Sequence, residues 1–381
     1  MAGVEIMLRG EDFMSRFVAV DASAENSPAC AGKCCVPSRR GFLRSLAAIA
    51  SVAAVPKPAF AQNTPTAPAP ARPLIDIHHH FYPPEMKAAM TDERSNLAPM
   101  FRDWTPQTTL DEMDKNGVTK AVISLSTAPA QWFRSPPEPL RKTLRAINEN
   151  GARIVADHPG RFGQFAFVSM KDVDGSLAEL AYALDTLKVD GIGIATSYGD
   201  KWPGDPMFAP IFEELDRRSA VVHLHPIAPN CCGSLVPNIG DSWLEYPTDS
   251  VRAALSLLFS GALSRYRNIK FIFSHGGGTL PMLVDRVDGL SKSVKNRDSI
   301  APNGIAAELQ RLHFDTADAT SAPALAAVLK FAPVSQLLFG TDFPYISTAH
   351  NLDGLNAFGL AEADLRAIES QNAVRLMPRL A

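Results

Sequence analysis

Short blocks of strand-forming residues alternate along this chain with stretches whose apolar positions repeat at helical spacing. The blocks fall at 74–78, 121–125, 165–169, 191–195, 220–225, 269–274, 313–316 and 336–340. Each is nearly continuously apolar, as a strand covered on both faces must be. Helical spacing predicts helices at 110–116, 139–155, 176–187, 208–218, 251–263, 281–291, 322–331 and 360–370. Gly117 stands where the first of these must stop. Doubly covered strands belong to a parallel sheet wrapped by helices, and eight of them predict an α/β fold closed as a (β/α)8 barrel. No repeat of solenoid type is present. Two longer stretches, 200–210 and 230–250, are rich in Pro and Gly and carry Trp202, Trp243 and Tyr246. In such a barrel they read as loops lidding the active face.

The first sixty residues break the pattern. Ser38-Arg39-Arg40-Gly41-Phe42-Leu43-Arg44 leads into an Ala-rich apolar run over 46–55, and Ala59-Phe60-Ala61 closes it. Basic, apolar, then small-x-small is the order of a cleaved export signal of the twin-arginine type, too short to span as a stable helix. Residues 1–61 therefore read as leader, with Met14 a possible later start, 62–73 as a Pro/Ala-rich linker, and 74–381 as the barrel. A periplasmic or secreted protein is expected.

Composition changes this picture little. The chain is 46% hydrophobic and 20% charged, ordinary for a soluble globular protein. Its leader takes 7 of 37 Lys/Arg and 5 of 40 Asp/Glu, leaving 30 and 35. That mild negative charge, without a basic aromatic stripe, gives no reason to expect a nucleic-acid partner. Beyond the leader no apolar run is long enough to span a membrane. Cys30, Cys34 and Cys35 lie in the leader, and Cys231 and Cys232 are neighbours that are expected not to bridge.

Candidate chemistry sits at predicted strand ends. The first strand ends in His78-His79-His80, stopped by Pro83 and Pro84. Alternation turns His78 and His80 one way, where two imidazoles reach one cation, and His79 the other. The fifth strand ends in His223-Leu224-His225-Pro226, the sixth in Ser274-His275-Gly276-Gly277-Gly278, the eighth in Gly340-Thr341-Asp342-Phe343-Pro344. In a barrel all four ends open on one face. Histidines and a carboxylate converging from separate strands suit a catalytic divalent metal with an open position, Zn²⁺ best, with Mn²⁺ or Fe²⁺ as alternatives. His223 reads as a deeper partner of the ligands, or a core histidine, rather than a ligand. Asp76 reads as ordering the strand end. The glycines after His275 either make a tight turn or let a ligand approach the backbone. Asp342 is either a helix cap or part of the site, and its place at a strand end favours the site. Phe343, beside it, is a candidate substrate contact. His158, His313 and His350 read as structural.

Four segments, Asp76-Ile77-His78-His79-His80, Leu224-His225-Pro226, Ser274-His275-Gly276-Gly277-Gly278-Thr279-Leu280-Pro281 and Gly340-Thr341-Asp342-Phe343-Pro344, together resemble the amidohydrolase superfamily. The resemblance is to its amidohydrolase-related branch, which includes aminocarboxymuconate semialdehyde decarboxylase and related aromatic-acid decarboxylases. It covers nearly all of 74–381 and implies a TIM barrel of the metal-dependent hydrolase type with one divalent metal. It also implies His78, His80, His225 and Asp342 as ligands, and His275, with Asp342, as the catalytic pair. Arg286 is implied as a partner of a substrate carboxylate, in some members across a homodimer interface. Many benzoate-type members carry Glu where His78 stands, so this ligand set is closer to the semialdehyde decarboxylase. The expected activity is non-oxidative decarboxylation of a small aromatic or unsaturated carboxylic acid. Hydrolysis of a lactone, ester or amide would use the same residues, and a non-catalytic exported binding protein is a third reading.

Overall fold

Eight strands form: β1 Ile75–His80, β2 Lys120–Ser124, β3 Phe162–Phe167, β4 Gly191–Ala195, β5 Val221–His225, β6 Lys270–Phe273, β7 His313–Asp315 and β8 Leu337–Leu338. They are seen in a computed structural model that describes residues 72–90, 98–126, 137–199, 201–233 and 235–381. Residues 1–61, read above as an export leader with Met14 inside it, and nearly all of the segment 62–73, read as a linker, lie outside the described residues. Each strand pairs in parallel with the next, so sheet order is chain order. The ring closes between its last and first members. Ile77 donates to the Phe339 carbonyl at 3.0 Å, and Asp342 to that of His78 and His80 to that of Phe343, both at 2.8 Å. This is the predicted (β/α)8 barrel.

The principal helices are α1 Pro106–Asn116, α2 Pro137–Asp157, α3 Val173–Tyr182, α4 Ala209–Arg217, α5 Asp241–Phe259, α6 Leu280–Leu290, α7 Ala322–Phe331 and α8 Thr348–Ala357. Local chemistry sets their ends. Thr105 and Thr108 form a reciprocal cap at the start of α1, and Gly117 ends it with φ 74°. α3 continues as a π turn, Ala183–Leu187, to the end predicted for it. The larger difference is α5, which starts at Asp241 and runs through Pro247, inside the stretch read as loop. An interior proline costs a helix about 3 kcal/mol. Tertiary bonds offset that cost here: buried Asp249 accepts from Thr196 Oγ1 at 2.5 Å and Trp202 Nε1 at 2.7 Å, tying α5 to the end of β4. Propensity yields to such contacts. The other revision is in the loop before α5, where the structure joins Cys231 to Cys232, against expectation.

Apolar packing forms two shells. The larger lies between strands and helices. The smaller fills the lower barrel with Ile75, Ile77, Val122, Phe165, Val221, Ile272 and Leu338, plugged from below by Ala373, Met377 and Leu380. Each large side chain buried this way contributes about 1.5–3 kcal/mol. The upper half of the lumen is polar, as the histidines require. Among the described residues no helix is long and apolar enough to cross a membrane.

His313, on β7, is buried with its Nδ1 unpartnered. Burial, with Lys270 and Arg375 nearby, outweighs a backbone hydrogen bond at Phe271 and pushes its pKa down to about 4. The unfolded chain takes up this proton near the ordinary 6.5, the folded one only near 4. Stability is therefore lost as pH falls from 6.5 toward 4, by about 2 kcal/mol at pH 5. Urea unfolding of His313→Gln should show a drop between pH 7.5 and pH 5 that is smaller than wild type's by about that amount; an equal drop would contradict the assignment.

Candidate metal centre

The site starts with an irregularity in β1. Asp76 pairs with Ala121 and His79 with Ile123, so three residues of β1 oppose two of β2. This is a β-bulge, and it breaks strict alternation. Ile77 packs in the lumen, yet His78, next to it, also faces inward, with His80. Asp76 is on the outer side with His79, not with His78 as spacing alone would put it. It accepts from His79 Nδ1 at 2.8 Å, Thr341 Oγ1 at 2.6 Å, and the amides of His78 and Thr341 at 3.0 and 3.1 Å. His79 packs outside, its ring stacked on Phe343 at 4.9 Å between centroids.

At the upper end of the lumen three imidazoles meet one carboxylate. His78 Nε2 lies 3.2 Å from His80 Nε2. Asp342 Oδ1 lies 2.7 Å from His80 Nε2, 3.2 Å from His78 Nε2 and 3.8 Å from His225 Nε2. Every Nδ1 is used elsewhere: His78 donates to Asp315 at 2.9 Å, His80 to the Ser124 carbonyl at 3.3 Å, and His225 to the Pro226 carbonyl at 3.0 Å. Those acceptors fix the tautomers and leave the Nε2 atoms facing inward. His225 Nε2 is buried without a hydrogen-bond partner. Tetrahedral N and O ligands about 2.0–2.2 Å from a metal lie roughly 3.2–3.6 Å apart, within the spread seen here. These residues fit a divalent cation.

The charges agree. Burial drives His80 down to about 4 and His225 to about 3 against the pull of Asp342, so both are neutral near pH 7, as ligands must be. Burial also opposes charge on His78, but Asp315 and Asp342 outweigh it and raise its pKa to about 10. Asp342 stays well below the usual carboxylate range because the three imidazoles overcome its burial.

Behind this cluster sits Asp315, fully buried at the end of β7. It accepts from His78 Nδ1, from His223 Nε2 at 3.0 Å, and from the amides of His275 and Ala317 at 2.9 and 3.1 Å. His223 is held there, stacked on Phe165, with Ser274 Oγ 3.1 Å from the same nitrogen. His78, His223 and Asp315 make a second close group, but one whose atoms are hydrogen-bonded to each other.

His275 faces the cluster from the turn that follows β6. Its Nδ1 donates to the Ala317 carbonyl at 3.0 Å, which leaves Nε2 for the chamber. His275 offers a ligand-type atom within 4.8 Å of those of His78, His225 and Asp342. The glycines that follow serve packing: a Cβ on Gly278, at φ 63°, would fall 2.2 Å from the Pro247 carbonyl of α5. The chamber above has a volume of about 780 Å³ and is walled by Trp243, Tyr246, Pro247, Ala319, Tyr345 and Ile346.

The amidohydrolase family matches residues 75–379, through all eight strands and each residue of this cluster. The chain belongs to that family. Among its relatives is a 6-methylsalicylic acid decarboxylase of Penicillium expansum, 33% identical over 80% of this chain and 96% of that protein. A gamma-resorcylate decarboxylase of a Rhizobium species is 26% identical over 71% of this chain and 86% of its own length. Among solved structures, a dihydroxybenzoic acid decarboxylase of a Polaromonas species with bound manganese superposes with a TM-score of 0.67, 22% identical over 81% and 97% of the two chains.

Two residues singled out from this amidohydrolase's sequence lie away from the chamber wall. Phe343 stacks on His79 instead, and Tyr345, two residues on, takes the wall position. The left-handed backbone at Asp342, φ 62°, turns the chain just before Phe343. Arg286 is exposed on α6 and does not line the chamber. Asp315 was missed. An acid inside an otherwise apolar strand was the available signal, and it sits two residues from a histidine.

Asp315→Asn should weaken divalent metal binding about 10- to 100-fold, because His78 loses the acceptor that orients its ring. Competition with a chelating indicator would measure it, and unchanged affinity would remove Asp315 from this role.

Proposed function

We propose that this amidohydrolase is a metal-dependent, non-oxidative decarboxylase of a small aromatic carboxylic acid. One observation carries it: three Nε2 atoms and Asp342 Oδ1 converge at the floor of a chamber onto which His275 also opens. The residues alone would also serve hydrolysis. Relatives named for aromatic-acid decarboxylation, one of them matched over 96% of its length, favour loss of CO2.

In this reading His78, His80, His225 and Asp342 hold the cation. Zn²⁺ suits three neutral imidazoles and one carboxylate, with Mn²⁺ or Fe²⁺ as alternatives. Bound there, a divalent ion supplies Lewis acidity toward substrate oxygens. The chamber residues do the rest. Tyr246, Pro247 and Ile346 hold the ring, and the aromatic walls limit water around it. His275 is the general acid. Its Nδ1–H is committed to Ala317, so a proton taken from solvent resides on Nε2 and passes to the ring carbon bearing the carboxylate. The bond to the carboxylate carbon then breaks, its electron pair returns to the ring, and CO2 leaves. One proton is consumed and no redox partner is needed. Asp342 assists by holding the imidazoles in place.

Arg286, outside its own chamber, is proposed to reach a substrate carboxylate only from a second copy of the chain. The twin-arginine leader supports the further proposal that the enzyme works outside the cytoplasm, exported after folding around its metal.

Protein stripped of metal and reloaded separately with Zn²⁺, Mn²⁺ and Fe²⁺ should release CO2 from salicylate-type acids, and the stripped form should not. His275→Asn should lower kcat at least about 100-fold while binding of the acid changes little. A new acid appearing without CO2 would move the assignment to hydrolysis.

A further inference from the structure

Asp318 borders the same chamber as His275 and Asp342, in the turn between β7 and α7. All three adopt a left-handed backbone, at φ 50°, 55° and 62° respectively. Residues other than glycine pay for that conformation, aspartate among the least. His275 and Asp342 have assigned work; Asp318 has none. Its backbone is nonetheless fixed from both sides. Its amide donates to buried Asn351 Oδ1 at 2.8 Å, and Asn351 Nδ2 donates to the Thr341 carbonyl at 2.9 Å. The preceding residue, Ala317, is bound through its amide to Asp315 and through its carbonyl to His275.

The carboxylate itself serves no purpose in the fold. The Asp318 side chain is exposed, and the cap of α7 is Ser321. Among the described residues no hydrogen bond or ion pair engages the Asp318 carboxylate. It stands beside apolar Ala319, with Ala324 and Ile346 on the same wall. A carboxylate carried on a fixed backbone at the edge of an apolar bay repels a substrate carboxylate and attracts a hydrogen-bond donor. It therefore favours the pose with the reacting carboxylate toward the histidines.

We propose that Asp318 is a specificity-determining residue that accepts a hydrogen bond from a ring hydroxyl or amino group remote from the reacting carboxylate. The preferred substrates are then aromatic acids bearing such a donor. This rests on the aromatic-acid reading above.

The test measures, by calorimetry on the metal-loaded protein, dissociation constants for salicylate and its ring-hydroxylated and ring-aminated derivatives, with CO2 release in parallel. Wild type should bind at least one donor-bearing derivative about 10- to 100-fold more tightly than salicylate, and Asp318→Gly should bring that ratio within about threefold. Glycine accommodates the positive φ, so the turn is kept. Asp318→Asn, a neutral acceptor, should retain part of the preference. The proposal is overturned if wild type shows no preference, if Asp318→Gly keeps it, or if that variant weakens every acid equally. Preference lost in Asp318→Gly without CO2 release from any acid would sink the decarboxylase reading and leave this one standing. CO2 release with a preference indifferent to Asp318 would do the reverse.

Discussion

One buried carboxylate sets the geometry of the whole upper barrel. The Asp315 side chain has no exposed surface, and an ion in that position costs several kcal/mol unless every lone pair is answered. Four donors answer it, from His78 on β1, His223 on β5, the amide of His275 after β6, and that of Ala317 after β7. Burial alone would make it a weak acid, yet the two histidines keep it ionised. The ends of four strands are thereby fixed relative to one another by a single residue. The chemistry proposed for His78 and His275 depends on that fixing.

The barrel divides its labour by height. Its lower lumen is an apolar plug built from β1, β2, β3, β5, β6 and β8 and closed by C-terminal residues. Its upper lumen is a polar network with little apolar packing of its own. Stability comes from below, so the top is free to hold left-handed backbone and crowded imidazoles at its own expense.

Most of the barrel was legible because buried strands and amphipathic helices differ in period, and each strand was found within a few residues. The four strand-end motifs were legible because histidine and aspartate are out of place beside apolar runs. What escaped was whatever depends on contacts between distant segments. α5 begins at Asp241, inside an apparent loop, because Asp249 is held by Thr196 and Trp202, which no local pattern records. Asp315 looked like one more strand residue because its partners come from three other strands. Phe343 was expected at the wall that Tyr345 lines, because the left-handed turn after Gly340-Thr341 leaves no mark in the strand pattern. Which face Asp76 takes could not be read from β1 by itself, because a bulge is a property of two strands, not one.

That bulge also bears on how this protein can vary. Three residues of β1 span the distance of two on β2, and only this surplus lets Ile77 and His78 face the lumen together while Asp76 and His79 face away. Losing any one residue between Asp76 and His79 would restore plain alternation. The rows would then fall out of step, with an acid turned inward or an imidazole turned out. Substitutions along β1 can be absorbed one position at a time, whereas its length cannot be edited at all. Insertions and deletions should therefore accumulate in the connecting segments and stop abruptly at this strand.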